Sequence, residues 1–262
     1  MKKLLPLLLL ILIGCSEPEP LNYGLLEERD GVHYRTDTNE IYSGPVFNID
    51  GTSEGYIKKG KFDGPFKYYY KNGQLEEEKT YKDGKENGSY KSYYENGQLE
   101  LEGTEKNGIE VGLWKKYNEN GQLELEKNNK ENGSYESSYY YYYDNGQLEE
   151  EQTWRNGNLD GPYKYYNENG QLELEGTNKD GYYHGPVKHY YENGQLQSEV
   201  TNKDGVLDGP SKSYYDNGQL QFEGLFKDGK QDGPFKVYYK NGQLDSEGTF
   251  KDGELIIESK EY

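Results

Sequence analysis

Apolar and polar side chains alternate in short runs along most of this chain. Pro234-Phe235-Lys236-Val237-Tyr238 is typical: successive residues switch character, and an Asn-Gly or Asp-Gly pair soon ends the run. A period of two puts alternate side chains on opposite faces of a strand. No segment after Ile13 carries a helical period. The one continuous apolar run is Leu4 to Ile13. The pattern therefore predicts an all-β chain, an elongated single-layer antiparallel array of β-hairpin repeats behind an N-terminal signal-peptide helix.

The runs repeat. Asn-Gly-Gln-Leu occurs eight times, with its glycine at 73, 97, 121, 146, 170, 194, 218 and 242, so the period is 24 residues with a single step of 25. A fixed period of this size marks a linear array of one supersecondary unit. Asn-Gly suits a type I′ loop, in which both central residues have φ > 0. Asp228-Gly229, followed by Asp232-Gly233-Pro234, reads as a second, looser turn. If Asn241-Gly242 is a two-residue loop, Tyr239 faces Leu244, Tyr238 faces Asp245, Val237 faces Ser246 and Lys236 faces Glu247. The same register sets Lys67, Lys91, Lys115, Lys164, Lys188, Lys212 and Lys236 opposite Glu78, Glu102, Glu126, Glu175, Glu199, Glu223 and Glu247. Opposite charges directly across two strands favour that register.

Alternation then assigns two faces. One is expected to carry Phe66, Tyr90, Trp114, Tyr163, Val187 and Phe235, together with Leu75, Leu99, Leu123, Leu148, Leu172, Leu196, Leu220 and Leu244. The other carries the Lys–Glu pairs and a stripe of tyrosines, Tyr69, Tyr93, Tyr117, Tyr142, Tyr166, Tyr190, Tyr214 and Tyr238. Equivalent tyrosines should recur about every 9–10 Å, and some 17–18 strands would extend roughly 80–90 Å. One unit departs from the series. Gly121 to Gly133 is shortened and loses its Lys-Asp-Gly turn. Gly133 to Gly146 is lengthened and contains the run Tyr139, Tyr140, Tyr141, Tyr142 and Tyr143. There Glu151 loses its opposed lysine and faces Tyr140. A bulge or bend is expected at 122–146, with the tyrosine run as its most unusual surface.

Four segments follow from these boundaries: a leader at 1–14, a tether at 15–24, a degenerate N-terminal cap at 25–65 and the tandem units at 66–262. Glu28 to Tyr34, with Asp30-Gly31 inside it, reads as a capping hairpin.

Composition sharpens the picture. Only 31% of the 262 residues are apolar, although 30 are tyrosine. That is too few for a layered globule with a deep core, whereas the aromatic content and strict repetition exclude a disordered chain. The formal charge of −18 repels nucleic acid and anionic lipid headgroups. One cysteine, Cys15, excludes disulfides and cysteine-based zinc sites within the chain.

Cys15 follows Met1-Lys2-Lys3, the apolar run and Leu12-Ile13-Gly14. The basic start and the length of the run fit a secretory signal better than a membrane span. Leu12-Ile13-Gly14-Cys15 resembles the lipobox of bacterial lipoproteins. The resemblance implies cleavage before Cys15, lipidation of its sulfur, and stable anchoring in the cell envelope by two or three acyl chains. Ser16, where an aspartate would imply inner-membrane retention, points to the outer membrane in a diderm cell.

The unit Asp-Gly-Pro-x-Lys-x-Tyr-Tyr-x-Asn-Gly-Gln-Leu-x-x-Glu-Gly-x-Tyr/Phe-Lys-Asp-Gly, from about Val32 to Glu254, resembles the MORN-repeat variant of bacterial proteins. The resemblance implies antiparallel hairpins in one elongated sheet. Many bacterial members carry the label of a YwqK-family antitoxin, a cytoplasmic activity from which an exporting leader departs. Eukaryotic MORN proteins are associated with membrane tethering and junction scaffolds.

The residues that could do chemistry do not assemble on paper into a catalytic centre. Gly51-Thr52-Ser53-Glu54-Gly55 matches Gly-x-Ser-x-Gly, but a nucleophile elbow needs a following helix. His184 and His189 are five apart and point to opposite faces of one strand; His33 is isolated. The Asp-Gly-x-x-Asp-Gly turns at Asp204/Asp208 and Asp228/Asp232 lack the ligand density of a calcium loop. No cofactor, metal or catalytic residue is expected. The leading reading is a non-enzymatic, lipid-anchored envelope protein that serves as a protein-interaction scaffold, a monomer or an edge-paired oligomer. Alternatives are glycan or cell-wall binding through the tyrosine stripe, and an antitoxin or immunity role.

Overall fold

The computed structural model describes residues 18–130 and 132–259, with side chains described to Ile256. The leader, Cys15 and the first residues of the tether lie outside the described residues. The described chain is built of strands, and its one helical element is a single 3₁₀ turn, Tyr23–Leu25. The expected all-β array of antiparallel hairpins is therefore the fold. It divides into two compact units, one reaching Gly97 and including Glu105–Ile109, the other formed by Gln98–Thr104 and the chain from Glu110 onward.

The first unit contains the best-developed core. Gly44–Phe47, Ser53–Lys58, Gly64–Tyr69, Leu75–Lys82 and Lys85–Tyr93 pair antiparallel in succession, and Leu21–Asn22 runs parallel to Val46–Phe47. Tyr42, Val46, Ile57 and Phe66 are buried together, flanked by Leu21, Tyr23, Leu26, Phe62, Tyr68 and Tyr81. The expected hairpin around Asp30-Gly31 forms between Leu26–Arg29 and Val32–Arg35. Its His33 is buried and bonded through both ring nitrogens, Nδ1 to the Gly60 carbonyl at 2.8 Å and Nε2 to the Tyr23 hydroxyl at 2.7 Å. Burying an imidazole requires such partners.

In the second unit, which takes up the strand Ile109–Tyr117 from Glu110, the strands to Glu254–Ser259 pair antiparallel in succession, with Tyr182–Tyr183 and Gly185–Tyr190 both pairing with Leu172–Lys179. Lys67–Glu78, Lys115–Glu126, Lys164–Glu175, Lys188–Glu199, Lys212–Glu223 and Lys236–Glu247 face one another as expected.

The turns correct the sequence expectation by exchanging roles. Asp228 and Gly229 both have positive φ, 49° and 81°, and Lys227 pairs with Lys230 across them. The Asp-Gly pair is thus the tight two-residue loop, with the two positive φ values of a type I′ turn. At Asn241-Gly242 only the glycine has positive φ, 87°. Tyr239 N–H donates to Gln243 O and Gly242 N–H to Tyr239 O, each at 2.8 Å. This is a longer loop, with the glycine as its left-handed residue. Asp232-Gly233-Pro234 is no turn: it is a bulge of the strand Lys230–Tyr238 against the preceding strand, between the pairs Phe226–Gln231 and Gly224–Phe235. A proline suits a bulge because it donates no ladder hydrogen bond.

The longer loop moves the leucines. Tyr238 pairs with Leu244, not Asp245, and the register shifts there; Tyr69–Leu75, Tyr117–Leu123, Tyr142–Leu148, Tyr166–Leu172, Tyr190–Leu196 and Tyr214–Leu220 repeat it. The leucines are registered on the tyrosine stripe and not on the face of Phe66 and Trp114.

That other face is packed by rings lying over glycines. Phe66, Trp114, Tyr163 and Val187 are buried, and Tyr163 is 1% exposed. A Cβ added at Gly176 would lie 2.5 Å from the Tyr163 hydroxyl oxygen, and one at Gly103 would lie 2.2 Å from the Trp114 ring. The missing side chain leaves room for the neighbouring ring to cover the backbone, so a thin sheet buries apolar area without a second layer.

Candidate functional site

The most organised surface is the row shared by lysine, glutamate and the tyrosine stripe. The tight Asp-Gly turn and its adjacent bulge bring each glutamate between two lysines. Glu175 pairs with Lys164 on one side and Lys188 on the other; Glu199 sits between Lys188 and Lys212, and Glu223 between Lys212 and Lys236. The row therefore alternates in sign from Glu151 to Glu247. Three lysines reach a neighbouring carboxylate, Lys115–Glu126 at 3.0 Å and Lys188–Glu175 and Lys236–Glu247 at 3.9 Å. Exposed pairs of this kind contribute about 0.2–1 kcal/mol each, so their main effect is to penalise a shifted register.

The tyrosines complete the row. Tyr69 donates to Glu54 at 2.6 Å, Tyr117 to Glu102 at 3.0 Å, Tyr190 to Glu175 at 2.7 Å and Tyr238 to Glu223 at 3.0 Å. Each hydroxyl thus reaches the glutamate fifteen residues earlier. Burial, followed by the adjacent carboxylate, pushes the Tyr69 and Tyr190 hydroxyls up to about 12. Tyr117, Tyr166 and Tyr238 are raised in the same direction, again chiefly by burial. Tyr93 and Tyr214 end their strands at the same repeat position. The stripe predicted as a binding surface therefore directs several of its hydroxyls into the protein's own register device.

Two neighbouring positions escaped sequence reasoning. The tyrosine after the stripe residue reaches into the following unit: Tyr70 donates to Tyr93 O, Tyr143 to Tyr166 O, Tyr191 to Tyr214 O and Tyr215 to Tyr238 O, at 2.6–2.8 Å. The turn asparagine does the same. Asn72, Asn145, Asn193 and Asn217 donate from Nδ2 to the carbonyls of Glu95, Glu168, Asp216 and Lys240. Their Oδ1 atoms meanwhile accept from the N–H of the next Gln in the turn. The recurrence of Tyr-Tyr-x-Asn-Gly at a 24-residue period was the available signal, since stacked turns put equivalent groups one unit apart.

The irregular unit breaks this order. Lys130 N–H donates to Ser134 O at 2.8 Å and Gly133 N–H to Lys130 O at 3.0 Å, where other units have the tight Asp-Gly or Asn-Gly turn. No Asp-Gly-Pro bulge follows, and pairing runs without a shift from Leu125–Tyr139 to Asn129–Tyr135. Without the bulge, Glu126 meets Ser138, while Tyr140 meets Glu151 as expected. The row is displaced by two residues. Tyr139 stands edge-on to Trp154, Tyr142 donates to Leu123 O at 2.7 Å, and Tyr141 is 47% exposed. Tyr139 to Tyr142, with Leu125, Lys116, Asn118 and Glu124, line an open cleft of about 420 Å³. Lys116 and Glu124 are paired at 3.2 Å on its wall.

The remaining sequence candidates do not converge. Ser53 is buried in the strand Ser53–Lys58, opposite Tyr68, and not at a strand-to-helix elbow. His184 Nδ1 lies 3.3 Å from Asp204 Oδ1, whereas His189 pairs with Leu174 and Ser198 in the sheet. Among the described residues, no group of three or more His, Cys, Asp or Glu is arranged to hold a metal ion.

The MORN repeat variant pattern matches eight segments, residues 62–83, 86–107, 110–129, 135–156, 159–180, 183–204, 207–228 and 231–252. The chain belongs to the MORN repeat variant family. Each matched MORN segment except the shortened third holds the two strands around one Asn-Gly-Gln or equivalent loop and ends near the tight turn, and the shortened match at 110–129 stops where that turn is replaced. No curated protein matches the chain. Among solved structures it is similar to a chain of "Crystal Structure of TcdB2-TccC3-TEV", at 10% identity and TM-score 0.24, covering 82% of this chain and 14% of that one. It is also similar to a chain of "Structure of Photorhabdus luminescens Tc holotoxin pore, Mutation TccC3-D651A", at 10% identity and TM-score 0.18, covering 86% of this chain and 15% of that one. The MORN array thus spans about one-seventh of either chain, and superpositions at this level carry no argument about function.

Proposed function

We propose that this MORN-repeat protein is a non-enzymatic, lipid-anchored component of a bacterial cell envelope that acts as a protein-interaction scaffold. The observation that carries the scaffold reading is the periodic surface. Lys, Glu, Tyr and Asn recur at one register in unit after unit, whereas catalysis requires a single convergent cluster. An extended, repeated face offers a partner many equivalent contacts. The anchor rests on Leu12-Ile13-Gly14-Cys15 behind its basic, apolar leader.

Labelling cells with a palmitate analogue tests the anchor. The wild-type chain should take up label and Cys15→Ser should not; an unlabelled wild type refutes anchoring. In-cell crosslinking followed by mass spectrometry tests the scaffold. The expected result is a reproducible partner whose crosslinks fall on several equivalent units, and their absence refutes it.

One observation favours a second reading, glycan or cell-wall binding. The cleft at Tyr139 to Tyr142 combines rings with flanking amide, amino and carboxylate groups, the mixture that suits a sugar's apolar faces and hydroxyls. Loss of peptidoglycan co-sedimentation in Tyr141→Ala would support it, and equal sedimentation of variant and wild type would reject it.

A further inference from the structure

The eight Asn-Gly-Gln-Leu turns have nearly one sequence but more than one hydrogen-bond environment, and the difference falls on a reactive group. An asparagine followed by glycine can cyclise. The glycine main-chain nitrogen loses its proton and attacks the asparagine Cγ. The Cγ–Nδ2 bond breaks, ammonia leaves, and a succinimide remains. Water then adds to one of the two imide carbonyls, giving aspartate or isoaspartate. The net change replaces an amide by a carboxylate, with water consumed and ammonia released. Glycine promotes the reaction because it has no side chain to hinder the attack.

Reaction requires Nδ2 to be free to leave and Cγ to rotate toward the glycine nitrogen. In every turn that nitrogen is held in the same way: Gly73, Gly97, Gly121, Gly146, Gly170, Gly194, Gly218 and Gly242 each donate to a carbonyl three residues back at 2.8 Å. The nucleophile therefore does not distinguish the turns. The side-chain amide does. Asn72, Asn145, Asn193 and Asn217 are held at both ends, with Oδ1 on the Gln N–H and Nδ2 on the carbonyl of the next unit's turn.

Asn120 and Asn169 are held differently. Asn118 and Asn167 occupy the place that Tyr70 or Tyr143 has in other units, and their own Oδ1 atoms take over the cap. Asn118 Oδ1 accepts from the N–H groups of Asn120 and Gln122, and Asn167 Oδ1 from those of Asn169 and Gln171, all at 3.0 Å. The exposed side chains of Asn120 and Asn169 are left with no partner among the described residues. Asn241 is a third case: its Nδ2 bonds only within its own turn, to Gln243 Oε1 at 3.0 Å.

We infer that Asn120 and Asn169 are preferred sites of spontaneous deamidation, and that the inter-unit amide clamp protects Asn72, Asn145, Asn193 and Asn217. Each event adds a negative charge to a chain already at −18, and an isoaspartate inserts an extra methylene into the turn's main chain. Breaking one net hydrogen bond before reaction should slow a clamped site about twofold to tenfold relative to an unclamped one.

The test is peptide mapping by mass spectrometry of the intact chain aged at mildly alkaline pH, resolving aspartate from isoaspartate at each turn. A second sample aged in urea sets the reference rates. In urea the turns should react at similar rates. In the folded protein Asn120 and Asn169 should lead the four clamped residues, with Asn241 between. Asn167→Tyr provides an independent arm. It restores the regular turn, freeing Asn169 Oδ1 to cap Gln171 and its Nδ2 to reach the Glu192 carbonyl, so Asn169 should slow to the clamped rate while Asn120 does not change. Equal folded-state rates at Asn169 and Asn217 would overturn the inference. So would an Asn169 rate unaffected by Asn167→Tyr in a variant whose circular dichroism matches the wild type.

Discussion

The unit that ends at Asn241 and the unit between Gly121 and Gly146 have similar strands but different connections. In the first, a tight Asp-Gly turn and an Asp-Gly-Pro bulge carry Glu223 to Lys236. In the second, a connection closed by Lys130 N–H on Ser134 O and an unbulged strand carry Glu126 to Ser138. Both are stable pairings, so strand formation does not depend on the bulge. What depends on it is alignment: two extra residues on one strand decide whether like positions meet across the sheet or slip past each other. The regular unit spends its tyrosine hydroxyl on a carboxylate, whereas the slipped unit turns its tyrosines into a cleft.

Substitutions on the ring-packed face should cost the most. Tyr163→Ala should cost about 3–4 kcal/mol, because a ring that is 1% exposed is removed from above Gly176. In the slipped unit, the buried Ser137 has little to lose, and Ser137→Ala should cost under about 1 kcal/mol. Tyr163→Phe should move the other way. The Tyr163 hydroxyl is buried without a hydrogen-bond partner among the described residues, so its removal should stabilise by up to about 1 kcal/mol. Urea unfolding midpoints of the three variants check the set, and destabilisation by Tyr163→Phe would contradict it.

Replacing residues 123–142 by the sequence of 220–238 should convert the slipped unit into a regular one. A gain of about 1–2 kcal/mol is expected from the restored Lys–Glu oppositions and tyrosine–carboxylate bond. The same chimera should lose any ligand that uses the cleft. Calorimetry showing a lower melting temperature than wild type would refute the alignment argument.

Asp228→Ala should cost about 1 kcal/mol, because alanine must enter the left-handed region at φ 49°. Lys130→Ala in the replacing loop should be close to neutral, since its loop bonds are made by main-chain groups. Chemical denaturation of the pair distinguishes the two connections.

The smallest effect is in the alkaline range. The Tyr190 hydroxyl is raised to about 12 by burial and then by Glu175, against about 10 in an unfolded chain. The folded state therefore holds the proton more tightly. The resulting stability is complete below about pH 10 and is lost as pH rises from about 10 toward 12. Tyr190→Phe should flatten that part of the stability profile and leave the neutral region within about 1 kcal/mol of wild type. Tyrosinate absorbance and unfolding measured together across the range provide the check.

Much of this was legible before any coordinates. Period-two alternation and the recurring Asn-Gly-Gln-Leu announced the hairpins, and opposed charges located Lys236 on Glu247. That the unit departs from the series was legible too, from the lengths on either side of Gly133 and from Tyr140 falling opposite Glu151, but where a bulge or bend was expected the strand is unbulged and its pairing slips by two residues. The turn types were not. Asn-Gly and Asp-Gly both tolerate positive φ, and local preference could not decide which pair would be compressed into two residues. That choice depends on the following segment: Asp232-Gly233-Pro234 absorbs the excess length beside the Asp-Gly turn, while Gln243 provides the carbonyl that closes the wider Asn-Gly loop. Misassigning the loop displaced every leucine by one position, because a one-residue shift changes the face. The inter-unit bonds of Tyr215 and Asn217 were hidden for a simpler reason: alternation describes faces, and these side chains lie in the loops.

Bulge and turn together set the register, and disulfide trapping in a Cys15→Ser background tests this. Directly opposed residues have Cα atoms about 4.5–5.5 Å apart, within reach of a disulfide. Under oxidation, Glu126→Cys with Ser138→Cys should close efficiently, as should Glu223→Cys with Lys236→Cys. Glu126→Cys with Tyr140→Cys, the pair that a regular unit would align, should remain reduced. Efficient closure of Glu126 with Tyr140, and not with Ser138, would contradict the account.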